Sequence, residues 1–190
     1  MEMLFRPDFS AYQVIDFDLN SFEPDYKGAF QGYSDSSSWS RGQAWGLYGF
    51  VMAFRETEDR VFLDQSIRIA SYILGNQNMP DDCIPYWDFQ TPDIPDAKRD
   101  ASAAAILASA LIDLSTFPEV QQPEHYLMIA EHIIKSLTAQ GYVASRTENE
   151  NFVLKHSVGN MPGRIEVDVP MIYGDYYFLE ALMKYKNLKR

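Results

Sequence analysis

Cysteine is almost absent. Cys83 is the only one in 190 residues, so no intrachain disulfide is possible, which fits a reducing compartment. It follows two aspartates with no histidine nearby, which argues against a nucleophile. Histidine is scarce too, with three residues, and no His, Asp and Glu group has metal-ligand spacing. No G-x-S-x-G, Walker or dinucleotide motif occurs. No apolar run approaches a membrane span, and "MEMLFRPDFS" lacks a basic region followed by an apolar core, so the chain reads as soluble, without a signal peptide or membrane partner. Cations are outnumbered, with 16 Lys and Arg against 27 Asp and Glu and a net charge of −11. A phosphate backbone wants clustered Lys and Arg, which argues against nucleic acid. A small anion stays open, because one buried Arg in a polar pocket can bind a carboxylate whatever the net charge.

Apolar residues, by contrast, make up 46% of the chain, enough for a core, and aromatics reach 14%, with 12 Tyr, 12 Phe and 3 Trp. Rings at that density suit a cleft that stacks on ring-shaped ligands, and they also simply pack cores. Residues 1–190 are enough for one globular domain or part of a larger one. Residues 1–37 form an irregular approach segment in which "AYQVIDFDL" alternates as a strand does. From Trp39, "SWSRGQAWGLYGFVMAFRET" turns helical and is apolar around nearly its whole cylinder, the signature of a buried helix. Gly42, Gly46 and Gly49 recur at near-helical spacing, which predicts close packing of a neighbouring helix.

A second helix is predicted near 60–76, with Asp59 as its cap. Four prolines make "NMPDDCIPYWDFQTPDIPDAKRD" a loop. "DASAAAILASALIDLS" is a third helix whose small residues allow close approach, and a fourth runs near 122–138. Residues 140–172 read as loop with short strands, and "GDYYFLEALMKYKNLK" is a fifth helix with cations at its C-terminal end. Helices one, three and five begin with polar or aromatic residues and recur at intervals of roughly 60 to 75 residues, as in an array of α-hairpins sharing an inner ring.

"WSRGQAWGLYGFVMAFRET", "IPYWDF", "RDASAAAILASALIDL" and "VPMIYGDYYFLEAL" together resemble the C-terminal half of the unsaturated glucuronyl hydrolases, glycoside hydrolase family 88, in order and spacing. The resemblance implies an all-α fold, an incomplete α/α six-hairpin toroid with about five helices of a twelve-helix barrel. It implies removal of a 4,5-unsaturated uronic acid from oligosaccharides left by polysaccharide lyases, by hydration of the C4=C5 vinyl ether, with no metal or organic cofactor. The family's catalytic aspartates lie in its N-terminal half, so the chain is expected to be inactive alone, with a missing half or self-association as its partner. A non-catalytic carbohydrate-binding remnant and an unsaturated rhamnogalacturonyl hydrolase are the alternatives. Cytoplasmic and periplasmic locations stay open, because a signal peptide would lie in the other half.

By the same resemblance Trp39 and Trp45 line the sugar subsite, and Gln31 in "FQGY" contacts substrate; their plainer readings are core aromatics and a loop polar residue. Arg41 sits in the first turn of its helix, where a cation opposes the dipole and needs an anionic partner. That partner is either a uronate carboxylate or an internal Asp35 or Asp88. Trp87 and Asp88 in "PYWDF" are placed at the mouth, Asp100 and Ser102 as caps, and His156 either in the pocket or on an exposed loop. His125 and His132 are read as surface or packing residues. Where the family commonly has a histidine, this chain has Gln13 in "YQV"; it can hydrogen-bond but not titrate.

Overall fold

A computed structural model describes residues 2–139 and 141–189. Five helices dominate: α1 (Ser40–Thr57), α2 (Arg60–Leu74), α3 (Ala101–Leu114), α4 (Pro123–Thr138) and α5 (Ile172–Leu188). Two antiparallel hairpins accompany them, β1 (Val14–Phe17) with β2 (Pro24–Gly28), and β3 (Ser157–Asn160) with β4 (Ile165–Val169). The approach segment is therefore less irregular than expected: β1 is the alternating stretch, and β2, "PDYKG", has no apolar alternation by which to recognise it.

α1 packs on α2 and α3, and α3 packs on α4 and α5. The inner helices α1, α3 and α5 thus lie side by side, with α2 and α4 behind the first two, forming an arc of an α/α toroid. α3 is the centre of that arc, and every one of its residues is buried. Alanine supplies the highest helix propensity and the smallest side chain, so one sequence both forms the helix and lets its neighbours close in.

Local chemistry sets the ends. α1 stops at Glu58, which takes a left-handed conformation (φ 57°) and returns its N–H to the Phe54 carbonyl at 2.7 Å. Asp59 then caps α2, accepting from the Val61 amide at 3.0 Å. Asp100 caps α3, accepting from Ser102 N at 3.1 Å and Ala103 N at 3.3 Å. α1 itself has no side-chain cap; its Ser40 amide donates instead to the Trp87 carbonyl at 3.2 Å. The proline-rich loop continues that pairing on both sides, with Phe89 N on the Ser38 carbonyl (3.1 Å) and Trp87 N on the Lys98 carbonyl (2.9 Å). It pins the starts of α1 and α3 together.

The α1 glycines do less uniform work than their spacing suggests. A Cβ on Gly46 would reach Ile69 of α2 at 3.7 Å, one on Gly49 would meet nothing within 4 Å, and one on Gly42 would strike the Trp39 ring at 2.8 Å. Gly42 makes room for a tryptophan, not for a helix. Toward the other end of the arc, Lys184 donates to Asp113 (2.6 Å), Ser109 (2.8 Å) and Glu180 (3.0 Å), and Tyr48 donates to Glu180 (3.2 Å). This seam ties α1, α3 and α5 together, and its burial and the neighbouring Glu180 push the Tyr48 hydroxyl's pKa up.

Candidate functional site

At the start of α1 the guanidinium of Arg41 is the meeting point of segments far apart in the chain. Arg41 is 2% exposed. Its Nη1 donates to Asp100 Oδ2 at 2.9 Å, to Ser102 Oγ at 3.3 Å and to the Val158 carbonyl, and its Nη2 donates to the Gly159 carbonyl at 2.8 Å. The Trp39 and Tyr173 rings lie within stacking range of it, with centroids 4.6 and 5.1 Å away. The anionic partner that its helix position demands is Asp100, not Asp35 or Asp88. The reason is architectural: α1 packs on α3, and the cap of α3 is fixed where Arg41 emerges. Asp100 divides its oxygens, Oδ1 to the α3 amides and Oδ2 to Arg41. This arrangement repays the burial of both charges.

Gln31 reaches the same place from the approach segment. Its Nε2 donates to the Gly159 carbonyl at 2.7 Å, the oxygen that Arg41 also uses. Gln13 holds it there: Gln13 Nε2 donates to Gln31 Oε1 at 2.9 Å, and Gln13 Oε1 accepts from the amides of Phe30 (2.8 Å) and Gln31 (2.7 Å). A neutral imidazole has one acceptor nitrogen and could not take both amides while donating onward with the same geometry. Trp45, half-buried, lies one turn further along α1. Its ring meets Tyr177 edge-on at 4.9 Å and tilts toward Tyr173 at 6.5 Å. Gln31, Trp39, Arg41 and Trp45 therefore belong to one cluster, completed by Tyr173 at the start of α5. Burial raises the Tyr173 hydroxyl's pKa, Arg41 lowers it, and Asp100 and Glu166 add to the rise, leaving the net shift upward.

The other three expected residues lie elsewhere or deeper. Trp87 is buried in a small cluster with Trp39, Tyr86 and Val158. Asp88, expected at the mouth, is 0% exposed. It accepts from Tyr33 N (2.9 Å), Ser37 Oγ (2.7 Å) and Gln90 N (2.9 Å), so it braces the loop that precedes α1. His156 stands just before β3, but its ring faces a separate cavity of about 310 Å³ with Lys98, Tyr142 and Asp168. Its Nδ1 lies 2.6 Å from Asp168 Oδ1, and Lys98 donates to the other oxygen at 2.7 Å. Burial pushes Asp168 up, but the bonds from Lys98 and His156 outweigh it and hold the carboxyl below its usual range.

Residue-by-residue reading missed Tyr173 and the Gly159 carbonyl. Tyr173 lies inside the quoted block "VPMIYGDYY" but carries no charge to single it out, and a backbone oxygen leaves no signal in sequence. One polar atom of the cluster, Trp39 Nε1, is buried without a hydrogen-bond partner among the described residues. Among the described residues, no group of three or more His, Cys, Asp or Glu is placed to hold a metal ion.

No protein-family model matches the chain. It is 44% identical over 184 residues to an unsaturated glucuronyl hydrolase of Formosa agariphila, covering 97% of this chain and 45% of that one. The crystal structure of an unsaturated glucuronyl hydrolase specific for heparin superposes with a TM-score of 0.95 at 45% identity, covering 98% of this chain and 50% of that one. A Streptococcus agalactiae unsaturated glucuronyl hydrolase variant, solved in complex with dGlcA-GalNAc6S, gives a TM-score of 0.82 at 34% identity, covering 97% and 49%. The chain thus spans about half the length of the relatives it matches.

Proposed function

We propose that this chain, similar along its length to about half of the unsaturated glucuronyl hydrolases, forms one wall of a site that hydrates unsaturated uronyl oligosaccharides. The observation that carries the reading is one connected cluster: Gln31 and Arg41 meet on the Gly159 carbonyl, the Trp39 and Tyr173 rings flank the Arg41 guanidinium, and Trp45 packs toward Tyr173. Half-buried Gln31, Trp45 and Tyr173 are the members a sugar can reach. Arg41 and Trp39 stand behind them and fix their positions. The substrate class comes from the relatives, two of which are described with heparin and with dGlcA-GalNAc6S.

The reaction adds water across C4=C5: a carboxylic acid gives its proton to C4, water adds at C5, and the resulting hemiketal opens and releases the remaining sugar. The acid must stand within about 3 Å of C4. Neither candidate in this chain is free to serve. Asp88 is enclosed by three donors, and Asp100 is committed to a helix cap and an ion pair. The family resemblance assigns the proton donor to a complementary half, and on that reading the chain alone is inactive.

The test follows the absorbance of the unsaturated uronyl group in heparin, chondroitin and rhamnogalacturonan disaccharides. The chain is assayed alone and together with the part of the Formosa agariphila relative that it does not match. Turnover only with both is expected. Turnover by the chain alone overturns the assignment of the acid. Disaccharide binding without turnover in either arm favours the binding-remnant reading, and turnover only of unsaturated rhamnogalacturonyl substrates favours the other relative.

A further inference from the structure

The open end of the β3–β4 hairpin is held by side chains as well as by its ladder. His156 stands immediately before β3, and Asp168 is the penultimate residue of β4. Both have left-handed backbones, with φ of 63° and 59°. His and Asp are among the few residue types that tolerate this region, and it persists where the surroundings fix it. Here the two side chains bond to each other, His156 Nδ1 to Asp168 Oδ1 at 2.6 Å, and Lys98 of the proline-rich loop donates to the second carboxylate oxygen at 2.7 Å. The His156 carbonyl accepts from the Ala101 amide at 3.0 Å, so the same residue is anchored to the first turn of α3. Three residues further on, Gly159 presents the carbonyl that Gln31 and Arg41 share.

We infer that His156, Asp168 and Lys98 form a proton-sensitive latch, which holds the hairpin on the head of α3 and so positions the Gly159 carbonyl. Histidine is the one side-chain type in this group whose ordinary range lies between about pH 5 and 8. The His156 side chain is 44% exposed, open to protons from solvent. As imidazolium it donates from Nδ1, and a charge-assisted bond to a carboxylate is about twice as strong as a neutral one. As neutral imidazole it has one proton for two nitrogens, and a proton on Nε2 leaves a lone pair facing Asp168. Deprotonation therefore slackens the latch. The surrounding groups leave this chemistry to the pair. Tyr142 meets the imidazole edge-on at 5.9 Å. Arg99 lines the same cavity but is engaged by Asp82 and the Ile84 carbonyl, and exposed Asp96 adds negative charge that favours the imidazolium. Lys155 pairs with Glu148 at 3.1 Å, and Glu166, also on β4, lies against Gly159 instead. The latch does not depend on the reaction proposed above; only its effect on a bound sugar rests on that reading.

The test is amide hydrogen exchange of the whole chain followed by NMR at about pH 5.5 and about pH 7.5, on either side of the ordinary histidine value. Rates are corrected for the intrinsic pH dependence of exchange. The β3 amides and the Gln31 side-chain amide report the latch, and the amides of Ile69 and Ile73, buried on α2, serve as the internal reference. The expected result is several-fold greater protection of β3 and Gln31 at the lower pH, with the reference unchanged. Asp168→Asn should bring protection at the lower pH down to the level seen at the higher one. His156→Asn tolerates the left-handed backbone and keeps a donor but cannot titrate, so it should show no difference between the two pH values. Equal protection of the unsubstituted chain at both pH values, a pH effect that survives either substitution, or one of the same size at Ile69 and Ile73 would each overturn the inference. The disaccharide assay reads the reaction and this experiment reads the latch, so either can fail while the other stands.

Discussion

α3 and α5 are both inner helices of the same arc, and both are rich in apolar residues, yet they end in opposite conditions. α3 is buried along its whole length, between α1 and α5 with α4 behind. α5 buries Gly174, Asp175, Phe178 and Ala181 and leaves an equally apolar stripe in solvent. Their sequences solve the same problem differently. α3 uses alanine so that neighbours on several sides can approach its backbone, whereas α5 uses large side chains that fill space only if something stands opposite them. Apolar content thus measures how many sides a helix is built to have covered, and the neighbours decide how many are.

Several substitutions test that contrast. The largest effect is expected from Asp100→Ala at the head of α3. It removes a helix cap and leaves the Arg41 guanidinium buried without its charge partner, a loss of about 3–5 kcal/mol in urea unfolding. Phe178→Ala, on the covered side of α5, should cost nearly as much, about 3–5 kcal/mol, because a buried ring leaves a cavity. Its chain neighbour Leu179→Ala, on the open side, should change the stability of the chain alone by no more than about 0.5 kcal/mol. A large effect at Leu179 would mean that the stripe is already covered in solution.

A smaller effect belongs to the polar seam. Burial pushes the Glu180 carboxyl up, but hydrogen bonds from Ser109 and Lys184 outweigh it, so its folded pKa lies below the ordinary 4.5. A depressed carboxylate stabilises the fold at pH above that ordinary value, and the contribution fades as pH falls through the folded one. Thermal melts of the chain and of Glu180→Gln should therefore differ most at neutral pH and converge under acid. The smallest effect is expected from Gln13→His. It should loosen the Gln31 loop while leaving the melting temperature within a few degrees, and it would appear as a weaker sugar affinity in the two-part protein.

Much of the architecture could be read from the chain. The capping aspartates Asp59 and Asp100, the prolines of the connector and the apolar periods marked the helices to within a few residues. β2 escaped because "PDYKG" owes its strand conformation to pairing with β1, not to its own composition. Within the site, the sequence argument established that Arg41 needs an anion. It could not choose the anion, because Asp100 lies 59 residues away and becomes a neighbour only when α1 packs on α3. Asp88 misled for a related reason: a carboxylate flanked by aromatics looks like a ligand, and only the fold brings Tyr33 and Ser37 to enclose it.

The divided allegiance of Asp100 has a kinetic side. One oxygen starts α3, while the other holds a guanidinium that also clasps the β3 carbonyls of Val158 and Gly159. Helix initiation, ion pairing and hairpin attachment therefore share one carboxylate, and none of the three can relax without disturbing the others. Such a junction opens as a unit, so the first-turn amides of α3 should exchange their hydrogens at the rate of the β3 amides, not at the independent rate of a fraying helix end. A ligand that steadies Gln31 against Gly159 would slow exchange in all of these segments at once, and would be felt at the head of a helix it never touches.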